Sequence, residues 1–417
     1  MIIIENTRID NRSNSALLFL LYLFVLQSPL EQIGGVFSYI DEAYGLLCIL
    51  FVFMNAIKSK SILIKRASIQ RYLPFLIFIF VGLLSNIIYQ YQIAPLVMTD
   101  LLTNIKFYLA IITTIMLVKH ESYKADIKFV SKHARFISAV FFTLLFVDIV
   151  FKVFPAPDSR YGFRTVQLFY PHSTYLAGAA VFLIAMLTLF YKKGNEPYIL
   201  MDLLLMASTL RSKAIAAAVI YVLIICFAIL YQRKIKIWHI FFIAAMGILI
   251  AWQQIYYYYF ALSGHSARSV LTLTSLQVMK DYFPIGTGFA TYGSHTAAVN
   301  YSPVYEKYGF RLVYELSGGS SGSFFDDTFW PIILGQTGFI GLVCYLLTLK
   351  RIILRAAQVR YISRYAYAAV LFVFAYLFIS SSSEPSFNNS IAIPLAVIIG
   401  YSIKMMRNET VSCSEKK

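Results

Sequence analysis

Charge is what this chain has least of: Asp, Glu, Lys and Arg make up 13% of its 417 residues. A soluble domain carries about 25%. So small a complement cannot cover a soluble surface with polar groups, and a chain of this length must set apolar side chains against lipid. Acids are scarcer still, 20 against 36 Lys and Arg, for a net charge of +16. In a soluble protein that excess would point to nucleic acid. Here the basic residues gather in short loops between apolar runs, which reports topology, and no nucleic-acid partner is expected. Cysteine is limited to four residues. Cys48, Cys226 and Cys344 lie inside apolar runs and Cys413 near the C-terminus. Their spacing fits neither a metal site nor a disulfide framework, so no metal is expected. Internal repeats, low-complexity arrays and a second soluble domain are also missing. The first apolar run, 16–30, has no clear small-residue cleavage pattern of the kind that ends a signal peptide, and reads as a first membrane helix.

What is present is apolar: 59% hydrophobic residues, with 31 Tyr and 35 Phe. A helix needs roughly 20 apolar residues to cross a bilayer. Apolar runs fall at about 16–34, 43–57, 73–90, 104–118, 137–154, 175–191, 198–210, 214–231, 238–260, 328–349, 365–383 and 390–404. The expected fold is all-α: one integral membrane domain over 1–417, a polytopic bundle of about twelve transmembrane helices. The stretch 198–210 is short and holds Asp202, and Pro29 and Glu31 interrupt the first run. With both termini cytoplasmic, 26 of the 36 basic residues fall in cytoplasmic tails and loops, the bias expected of a membrane protein. One outer connection is far longer than the rest, 261–327. Long loops in compact proteins are functional or disordered. This one holds LTLTSLQVM, YFPIGTGFATYG and YEKYGFRLVYEL, stretches that should pack as short helices over the outer face.

The remaining ten basic residues oppose the bias: Lys106, Lys152, Arg160, Arg164, Arg211, Lys213, Arg268, Lys280, Lys307 and Arg311. A charge near hydrocarbon is costly unless paired or solvated, and guanidinium groups grip phosphate bidentately. Arg160, Arg164, Arg211 and Arg268 are therefore candidates to hold a lipid diphosphate. The plainer alternative is lipid headgroups, or salt bridges to Asp158, Asp281, Glu306 or Glu315. Gly286 and Gly288, in FPIGTGF, permit close backbone approach to a ligand, although their spacing matches no phosphate-loop fingerprint. Asp326 and Asp327 precede a membrane helix and could supply a general base, or simply favour the helix N-terminus. His172, in YPHSTYLA, opens another helix. His265 and His295 lack metal-ligand spacing. The aromatic run 256–260 reads as an interfacial belt, or as a platform for sugar stacking.

Taken together, these pieces resemble the O-antigen polymerase and ligase superfamily, the Wzy-like polymerases of bacterial polysaccharides. The architecture matches over most of the chain; motif-level likeness is confined to about 160–345. FYPHSTYLA is similar to the family's segment before a middle helix. STLRSKA is similar to its Ser/Thr–Arg motif, and Arg268 through FPIGTGF to its Arg…Pro-x-Gly-x-Gly stretch. DTFWPIILGQTGFIGL resembles the His-Asn-x-aromatic…Gly-x-x-Gly helix of the ligases. There Asp327 stands where ligases carry histidine, Thr328 where they carry asparagine, and Trp330 in the aromatic place; the acid favours polymerase over ligase. The resemblance implies a GT-C-type, metal-independent glycosyltransferase without a cofactor. It would use undecaprenyl-diphosphate-linked oligosaccharides at the outer face of a bacterial plasma membrane, with a chain-length regulator and a flippase as further partners. Arg211 and Arg268 would hold the diphosphate with Arg160 and Arg164 assisting. Asp327 would lead as base, followed by Asp326 and His172. A ligase with a different acceptor, and a flippase or transporter, are the competing readings.

Overall fold

The structure, a computed structural model, describes residues 17–58, 66–118, 123–156, 158–230, 266–317 and 324–414, with parts of 238–261. Among these residues eleven helices have thirteen residues or more: α1 (Ile40–Lys58), α2 (Arg66–Tyr89), α3 (Ala94–Leu117), α4 (Tyr123–Phe151), α5 (Ser173–Leu189), α6 (Glu196–Ser208), α7 (Ser212–Ile225), α8 (Ala267–Asp281), α9 (Trp330–Ala356), α10 (Arg364–Ser380) and α11 (Ala392–Ser414). The only described sheet is a hairpin of β1 (Ser159–Arg160) and β2 (Phe163–Arg164).

Among the described residues six helical stretches are long and apolar enough to cross a membrane: Gly35–Ile57, Tyr72–Tyr89, Ala94–Leu117, Ala125–Phe151, Ser212–Ile229 and Trp330–Tyr361. Three shorter apolar helices accompany them, Ser173–Leu189, Arg364–Ser380 and Ala392–Met405. Exposed faces fit lipid: Leu46, Leu47, Leu50, Phe53 and Ile57 of α1 each keep more than half of their surface open. Burying apolar residues there would require another chain or a bilayer.

The expected span at 16–34 does not form as one helix. Residues 17–25 are helical, the chain bends at Leu26, and a short helix Gln27–Glu31 and the 3-10 turn Gly35–Tyr39 follow. Pro29 and the Gly34–Gly35 pair remove the backbone support that a continuous helix needs. Within the expected span at 238–260 the described residues up to 253 are helical, and its end is a π-helical turn, Tyr256–Ala261.

Helix α5 is at the centre. Fifteen of its 17 residues are buried, as its apolar character all round requires, and it packs on α4, α6, α10 and α11. Helices α9 and α11 pack on α2 and α3 respectively. Residues 266–317 and 324–329 cover one end of this bundle as a lobe with its own core, in which Leu271, Val278, Tyr292, Tyr305, Phe310 and Phe325 are buried together. It contains α8, two short helices, His295–Val299 and Pro303–Lys307, and two 3-10 turns, as the packing of its aromatic stretches predicts. The rings of Tyr305 and Phe325 stack at 4.3 Å. At the opposite end, Arg135 binds Asn195 Oδ1 at 2.8 Å and the Lys193 carbonyl at 3.0 Å, and Arg351 binds the Gln70 carbonyl at 2.8 Å.

Candidate functional site

Three helix N-termini and the approach to a fourth meet under the lobe. His172 caps α5, Arg211 caps α7, and Arg268 is the second residue of α8, which Ser266 caps through the Ser269 amide. Asp326 and Asp327 lie just before α9. N-terminal amides and the helix dipole favour an anion at each such end.

Arg211 ties the first two together. Its Nε donates to Ser173 Oγ at 2.6 Å, and its Nη2 to Asp158 Oδ2 at 3.0 Å and to His172 Nε2 at 2.6 Å. A guanidinium cannot accept, so His172 Nε2 presents its lone pair and the ring proton sits on Nδ1. The Thr174 amide approaches that same Nδ1 at 3.2 Å. Neutral imidazole cannot accept at both nitrogens, so the shorter contact fixes the tautomer. Burial and the Arg211 and Lys213 charges push His172 down to about 4, which leaves it neutral at pH 7. Burial, and Arg160 beside it, also lower Arg211 from the usual arginine value. The hairpin brings Arg160 here, 3.9 Å from Asp158, with its Tyr161 hydroxyl 3.2 Å from Ser212 Oγ.

Arg268 donates to Asp327 Oδ2 at 3.1 Å and lies over the Tyr258 ring at 4.3 Å. Its Nε is buried and has no hydrogen-bond partner among the described residues. Asp327 therefore answers a cation rather than capping α9, whose N-cap is Phe329 without a side-chain bond. Burial raises Asp327 from the usual carboxylate value despite Arg268. It raises Asp326 as well, against the pull of His295, whose Nδ1 is 3.9 Å from the Asp326 carboxylate. Arg211 and Lys213 both feel the Arg268 charge, and Lys213 feels Arg211. The structure thus brings Arg160, Arg211, Lys213 and Arg268 together with His172, Asp158, Asp326 and Asp327.

The structure gives three of the sequence candidates other partners. Arg164 stands apart from this cluster. Its guanidinium grips the Asp148 carboxylate at 3.1 Å and the Phe154 carbonyl, pinning the end of α4 to the hairpin. Gly286 and Gly288 form no phosphate cradle. Helix α9 is interrupted at Gly338 (φ 60°, ψ −160°), and the glycine turn takes over the broken ladder. The Thr287 amide donates to the Gly335 carbonyl at 3.0 Å, Gly288 to Gln336 at 2.8 Å, and Ile340 to the Pro284 carbonyl at 3.2 Å. The Gly286 amide is bonded to the Tyr282 carbonyl. Gly286 (φ 75°) and Gly288 (φ 99°) are required because backbone meets backbone: a Cβ at 286 would lie 2.7 Å from the Gln336 carbonyl. Lys106, placed at the outer boundary by its opposition to the charge bias, is instead buried within α3 and paired with Asp41, which also accepts from Gln27 at 2.9 Å. His265 lies outside the described residues.

Sequence reasoning passed over the polar residues that lock the lobe down. Asn86 of α2 brackets Phe289, accepting from its amide at 2.8 Å and donating to its carbonyl at 2.9 Å. Asp100 accepts from the Ala290 amide at 2.8 Å. Gln336 donates to the Tyr292 carbonyl at 3.1 Å, and Asn388 to Asn104 Oδ1 at 3.1 Å. Asn86, Asn104 and Gln336 sit in apolar runs, where a polar group calls for an explanation; that was the available signal for them, while Asp100 and Asn388 lie outside those runs. Also passed over was Glu384, paired with Lys213 at 2.9 Å. Among the described residues no group of three or more His, Cys, Asp or Glu side chains could hold a metal ion. No family model matches the chain, and no curated protein matches it.

Proposed function

We propose that this chain is an extracytoplasmic polysaccharide polymerase: a GT-C-type glycosyltransferase of about twelve spans with both termini cytoplasmic and the lobe outside. It would take undecaprenyl-diphosphate-linked oligosaccharides as donor and acceptor. The observation that carries the reading is the meeting of Arg160, Arg211 and Arg268 at the N-termini of α5, α7 and α8, beside carboxylates. The motif order of the sequence supports it independently.

Chemistry follows from the arrangement. Asp158 and Asp327 are the counter-anions of Arg211 and Arg268. A diphosphate carries more charge than either carboxylate and can accept two parallel bonds from a guanidinium, so it displaces them. Arginines and helix dipoles then stabilise the diphosphate as it leaves the anomeric carbon, which needs no metal. The acceptor hydroxyl attacks that carbon while a carboxylate of the cluster takes its proton. Two lipid-anchored substrates held under one lobe react as if at high local concentration.

The test is glycan chain length in a deletion strain complemented with Arg211→Ala, Arg268→Ala or Asp327→Ala. Single repeats should accumulate on the carrier. Normal chains from all three well-expressed variants would reject the site. Full-length polymer stranded on the carrier would mean a ligase, and lipid-linked repeats trapped on the cytoplasmic side a flippase.

A further inference from the structure

The connection between α10 and α11 reaches into the cluster from a direction that none of the site motifs covers. Glu384 stands on it. The loop is fixed: the Glu384 amide donates to the Ser380 carbonyl at 3.0 Å, and Ser386 Oγ to the Leu377 carbonyl at 2.7 Å. It is also fastened to the segment carrying Asp327, since the Phe329 amide donates to the Ser381 carbonyl at 3.1 Å and Trp330 Nε1 to Ser381 Oγ at 2.9 Å.

Glu384 Oε2 receives Lys213, and both side chains are 13% exposed. Its other oxygen, Oε1, is shielded from solvent and has no hydrogen-bond partner among the described residues. A buried carboxylate oxygen left unmet is costly, and folded proteins keep such an atom where a ligand or water uses it. Glu384 also lines a recess with Thr174, Tyr175, Tyr376, Asn389 and Ser390. The recess, about 10 Å³, has room for one hydroxyl or water rather than a whole sugar ring. The recess opens beside the start of α5, next to His172, and Tyr175 feels both Glu384 and Asp326. Asp327 is likewise held by a cation through one oxygen but has no oxygen that is both buried and unmet, and His172 has its one lone pair on Arg211.

We infer that Glu384 is the carboxylate that receives the acceptor's hydroxyl proton, with Lys213 holding it in place. The inference rests on the polymerase reading. The acceptor oxygen forms its bond to the donor's anomeric carbon as the bond from that carbon to the diphosphate oxygen breaks. The electron pair leaves on the diphosphate, held by Arg211 and Arg268. The hydroxyl proton passes to Glu384 and from there to water.

The experiment uses the full-length protein in lipid nanodiscs with undecaprenyl-diphosphate-linked oligosaccharide extracted from the deletion strain. Turnover is measured against pH, and affinity is measured separately with undecaprenyl diphosphate. Glu384→Gln should lower turnover on the order of 10²–10³-fold while leaving that affinity within about threefold, and should remove the acid limb of the pH–rate profile. Near-normal turnover in Glu384→Gln, with Asp327→Asn inactive, would move the role to Asp327. If Lys213 and Glu384 form only a strut, removing both charges in Lys213→Met/Glu384→Gln should restore turnover; recovery there overturns the inference, and this double variant also decides the matter if the single one misfolds. Failure of the polymerase reading looks different: the wild-type protein joins no repeats, or Arg268→Ala works normally.

Discussion

Gly286→Ala separates a structural glycine turn from a phosphate-binding one. At φ 75° an L-residue costs about 1–2 kcal/mol. The added Cβ would lie 2.7 Å from the carbonyl carbon and oxygen of Gln336. Those are backbone atoms at the break in α9, and no rotamer change moves them aside. Overpacking of this kind costs about 1–3 kcal/mol, so the sum is about 2–5 kcal/mol. That is a large share of the roughly 5–15 kcal/mol that holds a typical domain folded. The assay is thermal melting of the purified protein in detergent, with polymer formation measured on the same preparation per folded molecule. A clear fall in melting temperature is expected, with activity surviving below it. A Gly286→Ala protein that melts with the wild type yet makes no polymer would refute the structural account and return the turn to substrate binding.

Other perturbations test the remaining contacts. Arg164→Ala leaves Asp148, 1% exposed, without its cation; because Arg164 itself is partly solvated, the expected loss is about 2 kcal/mol, read by chemical denaturation, with turnover per folded molecule unchanged. Arg268→Ala should reduce turnover on the order of 10²–10³-fold, and Arg268→Lys should recover only part of it, since a lysine cannot reproduce the planar fork. Asp326 has its carboxyl raised by burial, so the folded state prefers it protonated; that contribution is present below the unfolded value and is lost as pH rises through the folded one. Asp326→Asn should therefore melt above the wild type at pH 7 to 8, and the gap should close toward pH 4. His172 has the opposite dependence, because burial and Arg211 hold it at about 4. Its contribution is full above about pH 6.5 and fades toward pH 4, so replacing it with Gln should flatten the acid side of the melting profile.

Much of the helix pattern was readable because long apolar runs leave few alternatives: α2, α4 and α9 each cover most of the run expected of them. Ends were harder to read. Helix α3 begins at Ala94, ten residues before its expected start, because Asp100, Asn104 and Lys106 dilute its apolar character while being buried against partners that sequence spacing does not reveal. The cation cluster was legible in part. Opposition to the charge bias singled out Arg160, Arg211 and Arg268, and the same criterion singled out Arg164 and Lys106, whose partners Asp148 and Asp41 are distant choices made by the fold. Glycines invite two explanations in a sequence, room for a ligand or room for backbone. Only the partner strand of chain, here 335–340, decides between them. Glu384 had no motif to announce it; a single acid in SSSSEPSFNN reads as an ordinary loop residue until Lys213 is found beside it.

The broken ladder of α9 has a bearing on assembly. Inside a bilayer no water can satisfy an orphaned carbonyl. The carbonyls of Gly335 and Gln336 find their donors on Thr287 and Gly288, in a segment that would have to cross to the outside before α9 enters the membrane. Helix α9 therefore cannot reach its final shape on its own; it waits for the lobe to dock. A lesion in the glycine turn would first be visible some fifty residues downstream, as protease sensitivity around Gly338 in membranes that still carry a correctly inserted chain.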